Sequence, residues 1–66
     1  MEILIINSYG QSEHISSEFL PRIGDKVDMF YEPKPSVNSV LLYPSKKTLH
    51  KIGLDNVVVN AIVTVS

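Results

Sequence analysis

Few residues in this chain are equipped for chemistry near neutral pH. The two histidines, His14 and His50, are the acid–base candidates. His14 follows Glu13 and lies among Ser12, Ser16 and Ser17; His50 precedes Asp55 by five positions. Neither set has the spacing of a nucleophile elbow, and no oxyanion site is suggested beside the serines. The histidines stand 36 residues apart and there is no cysteine, so no metal-ligand spacing or thiol nucleophile arises. Asp25 and Asp28 match no calcium-loop pattern and face opposite ways on extended backbone. A domain of 66 residues also leaves little room for a pocket of roughly 300 Å³. The residues therefore predict a protein that is not an enzyme and holds no cofactor or metal.

Binding residues are easier to find. Lys46, Lys47 and Lys51 fall within six positions that hold no acid, with His50 among them. If 46–52 is a helix capped by Ser45, its free N–H groups with Ser45, Lys46 and Thr48 suit a phosphate or carboxylate. A charge run of this kind is more often a solvated face. The run Pro44-Ser45-Lys46-Lys47-Thr48 lacks the glycines of a phosphate loop and is not one. Tyr31 and Tyr43, with Tyr9 and Phe30, offer rings that could stack on a base or grip a side chain, although packing in the core or rim is their commoner use. Lys34 adds a charge in the proline-rich loop at 32–36. The candidate binding set is Lys46, Lys47, His50, Lys51, Lys34, Tyr31 and Tyr43. Arg22 can pair with Asp25 or Glu18, a contact worth roughly 0–1 kcal/mol that would shape a loop.

The elements that must position these residues are mostly strands. The run at 57–65 has seven β-branched residues among nine and no Gly, Pro or charge. Its odd-numbered positions form an unbroken apolar face, so it belongs inside a sheet or an interface. Residues 2–7 carry apolar groups on both faces and predict a buried strand. Gly10 marks a turn, and a weaker strand is expected at about 13–19. Residues 19–25 read as a connector fixed by Pro21. Alternation at 26–31 predicts a third strand. The fourth, at 37–43, alternates imperfectly, which a bulge near Ser39 would reconcile. Ser45 and Gly53 bracket the short helix at 46–52. The expected architecture is mainly β: a five-stranded antiparallel SH3-like small barrel, or a strongly bent sheet, with one helix before the last strand. The alternative is a β-β-β-α-β sheet open on one face. Residues 1–66 would form a single β-barrel-like domain.

This element order resembles small barrels of the SH3 type. The run Phe19-Leu20-Pro21-Arg22-Ile23-Gly24-Asp25-Lys26-Val27 resembles the aromatic-Leu-Pro-Arg-x-Gly-Asp lead-in to a strand in short β proteins of bacterial and phage genomes. That resemblance implies a small barrel and supplies no catalytic residue. The chain departs from SH3 peptide binders in having no Trp and no acidic loop run, so proline-peptide binding is not expected.

Net charge is −1 at pH 7, which does not favour a dedicated nucleic-acid binder. The charge is segregated: outside 46–51, seven acids face only Arg22, Lys26 and Lys34. No stretch approaches the roughly 20 apolar residues of a membrane span, and Ile3-Leu4-Ile5-Ile6 is too short for a signal core. A soluble, cytoplasmic protein is expected. Three functions remain in rank order: a protein-binding module, a weak nucleic-acid binder using the lysines and a tyrosine, and a self-associating structural protein.

Overall fold

The computed structural model describes residues 1–49 and 57–66. They form β1 (Glu2–Asn7), β2 (Ser12–Ser16), β3 (Val37–Leu49) and β4 (Val57–Val65). The four strands make one sheet in the order β2-β1-β4-β3. The β1–β2 and β3–β4 pairs are antiparallel, and β1 runs parallel to β4.

This order follows the apolar content of the strands. β1 and β4 are the most apolar, and they take the two central places. β2 reads Ser-Glu-His-Ile-Ser, and β3 contains Asn38, Ser39, Pro44, Lys46 and Lys47; both lie at edges, where polar groups reach water and a proline costs no ladder bond. The chain must then cross from one edge to the other between β2 and β3. Segment 17–36 does so over one face of the sheet. Its Leu20, Val27, Met29 and Phe30 close a core against Ile3, Ile5, Val37, Val63 and Val65.

Two turns are held by named groups. The β1–β2 turn is organised by Asn7, only 5% exposed, whose Oδ1 accepts from the N–H groups of Tyr9 and Gln11 at 3.0 and 2.9 Å. Gly10 follows at φ 84°, a conformation that L side chains rarely adopt. In the crossover, the Asp25 carboxylate accepts from the Arg22 backbone N–H at 2.9 Å and Gly24 sits at φ 94°. Among the described residues Arg22 makes no ion pair with Asp25 or Glu18; a backbone amide does the pinning instead.

The SH3-like barrel is overturned. The described residues form four strands in one mixed sheet, not five in an antiparallel barrel, and contain no helix. Two expectations fail for separate reasons. Residues 26–31 alternate because one side is buried, but that side lies on a sheet face rather than in a ladder. Lys26 makes a lone bridge to Ser36, and Phe30 at φ 72° breaks the extended path. The expected helix fails over 46–49. Lys47, Thr48 and Leu49 pair with Val59, Val58 and Val57, so the free edge of β4 recruits them as strand. Residues 50–52 of that expected helix lie outside the described residues. β3 has one register shift between Val37 and Ser39, where the alternation breaks, and another between Leu42 and Lys47.

Candidate functional site

Among the described residues, those singled out by type do not converge. Tyr31 packs edge-on against Tyr9, centroids 5.8 Å apart, and Lys34 lies exposed in the loop after the cis Glu32–Pro33 bond. Tyr9 follows the end of β1, so this group sits by the Val65 end of β4. Tyr43, Lys46 and Lys47 lie near Val59. Six residues of strand separate Val59 from Val65, about 20 Å. Lys47 Nζ stands 5.2 Å from the Tyr43 ring centroid, so a cation already occupies one face of that ring. His50 and Lys51 lie outside the described residues. The helix N-terminus imagined for an anion is replaced by strand at Lys46 and Lys47.

His14 does meet a carboxylate. Its Nε2 stands 3.0 Å from Glu2 Oε1 on the sheet face away from the crossover, and the Ser16 hydroxyl donates to Glu2 Oε2. Glu2 is held below the usual carboxylate range by that hydroxyl; partial burial works the other way, and His14, the N-terminal ammonium and Lys46 add attraction. The order of contacts matters for chemistry. Glu2 sits between serine and histidine, so the imidazole does not face the serine hydroxyl as a general base must. Cross-strand pairing explains the cluster: Glu2 is opposite Ser16, and His14 is the neighbour of both.

Two features escaped notice in the sequence. The first is an open cleft of about 480 Å³ between the sheet and the crossover, larger than the domain's size led one to expect. Ile5 and Ile15 line it from the sheet, and Phe19, Leu20, Val27 and Met29 from the crossover; Asp25, Lys26 and Asp28 stand on its rim. Phe19 is 78% exposed. The cleft's sequence signal is Phe19-Leu20-Pro21, two large apolar residues beside a proline in the expected connector.

The second is the outer edge of β3. Its first residue is covered: Val37 donates to Asp25 O at 2.8 Å and accepts from Gly24 N at 2.9 Å. Beyond Val37, the outer edge has no backbone partner among the described residues. The alternation of an antiparallel ladder tells which groups are free. Ser36 and Ser66 exchange both backbone bonds, so Thr64 and Ile62 also turn their groups toward β3. Their partners Ser39 and Leu41 bond inward. Val40 and Leu42 therefore direct N–H and C=O outward. Leu41 and Leu42, on opposite faces, are 54% and 56% exposed.

Among the described residues, the fold and these features define a small β protein of one sheet, with an unpaired edge strand and a shallow apolar cleft. Compared with known proteins, the chain matches no protein-family model, no curated protein and no solved structure. Among the described residues, no helix is long and apolar enough to cross a membrane.

Proposed function

We propose that this chain is a small non-enzymatic binding module that acts through protein–protein contact in the cytoplasm. The observation that carries this reading is the outer edge of β3. Residues 38–43, Asn-Ser-Val-Leu-Leu-Tyr, hold no charge and no proline on an edge with no backbone partner among the described residues. Exposed edges are usually blunted by lysine, proline or a covering loop, because free N–H and C=O groups invite another strand. Here the blunting residues, Pro44, Lys46 and Lys47, come only after the apolar stretch. Strand addition uses main-chain bonds for affinity and alternate side chains for specificity. Leu41 and Leu42 offer such a side chain on each face.

The test is site-specific photo-cross-linking in cells that make the protein. A benzophenone side chain at position 41 or 42 is expected to capture protein, and the same group at exposed Glu18 is not. No adduct at 41 or 42 removes the reading.

A further inference from the structure

We infer that the edge of β3 pairs with the same edge of a second copy of this chain, antiparallel about a two-fold axis at Leu41. The inference rests on β3 being a protein-binding edge and names its occupant.

The free window is short and bounded at both ends. At its start, Gly24 and Asp25 occupy the outward groups of Val37. At its end, Pro44 has no N–H to give. The outward groups within the window belong to Val40 and Leu42. An antiparallel partner satisfies them when Val40 faces Leu42 of the second copy and Leu42 faces its Val40, each pair exchanging both N–H···O bonds. This arrangement is self-complementary. It puts Leu41 opposite Leu41 of the second copy as a non-hydrogen-bonded pair, where side chains come closest. Both leucines then lose the exposure they have in the single chain.

Charge supports the same register. Lys46 and Lys47 are the only charged residues of β3, and both lie past the window. Pairing about Leu41 keeps the lysines of the two copies apart. It leads each pair toward the 24–28 segment of the other copy, where Asp25 and Asp28 outnumber Lys26. A register slipped toward the lysines would set like charges against each other.

The chain has no cysteine, so a single introduced one reports its own neighbour. Cysteine is placed in turn at positions 39 to 43 and the protein is oxidised under mild conditions. Disulfide-linked dimer is expected to peak for Leu41→Cys, because only that residue meets its own copy across the axis. Light scattering at two concentrations about a hundredfold apart is expected to show a rise from one chain toward two. Leu41→Lys, checked for fold by circular dichroism, is expected to weaken the dimer by at least about tenfold. If that variant unfolds, the cysteine scan alone decides. A monomer at both concentrations with no cross-link overturns the inference, as does equal cross-linking at all five positions. A monomer that still yields an adduct with another protein from position 41 overturns the inference and leaves the binding-module reading standing. A monomer with no adduct removes both.

Discussion

At the scale of single residues, Glu2 shows how sequence neighbours mislead. Glu13 is adjacent to His14 in the chain, yet Glu2 is its partner, because antiparallel pairing puts residues 2, 14 and 16 together on one face. Glu2 is held below its ordinary value of 4.5 chiefly by the Ser16 hydroxyl. A carboxylate with a lowered folded-state pKa contributes stability above its unfolded value and loses it as pH falls through the folded one. Glu2→Gln is therefore expected to melt at a lower temperature than the native protein at pH 7. The gap should narrow below pH 4.5 and close in stronger acid. Thermal melts of both proteins from neutral to acid pH check this; a gap that widens in acid would refute it. The histidines were visible in the sequence as candidates. Their partners were not, because pairing register decides them.

At the scale of elements, the strands separate those that hold the fold from those that present a surface. Ile5 is 1% exposed at the centre of β1, while Phe19 is 78% exposed on the lip of the cleft. Ile5→Ala is expected to cost about 2–5 kcal/mol through lost burial and the cavity left behind. Phe19→Ala is expected to change stability by no more than about 0.5 kcal/mol. Urea denaturation measures both, and similar losses for the two would contradict the burial assigned here. The boundaries of β1 and β4 agree with the sequence because each is a continuous, mainly apolar run bounded by polar residues, Asn7-Ser8 after the first and Asp55-Asn56 before the second. Those of β2 and β3 shift because an edge strand extends only as far as its neighbour offers unpaired groups. β3 runs on to Leu49 because Val57, Val58 and Val59 of β4 would otherwise lack a partner.

At the scale of the molecule, one sheet with a single covering segment leaves protection uneven. Residues 3–6 of β1 and 61–65 of β4 lie between paired strands on both sides. In β3, those of Ser39 and Leu41 bond inward, while those of Val40 and Leu42 point out. In dilute protein, Val40 and Leu42 amides are expected to exchange roughly a hundredfold or more faster than those of Leu4 and Ile62. At high concentration they should become protected if two copies pair. Hydrogen exchange followed residue by residue checks both, and slow exchange of Val40 and Leu42 in dilute protein would mean that the edge is already covered.

By itself the sequence determined that this is a β protein with buried strands at its two ends, because the apolar content of 2–7 and 57–65 can be satisfied only in a sheet interior. Alternation reports that one side of a segment is buried, and a segment laid across a sheet face alternates as a strand does. Nor can it say which buried strands adjoin. Only the tertiary structure decided that β4 inserts beside β1, that 26–31 becomes a cover, and that 46–49 pairs as strand. Backbone hydrogen bonds between distant segments made each of those choices, and the free edge of β3 is where they stop.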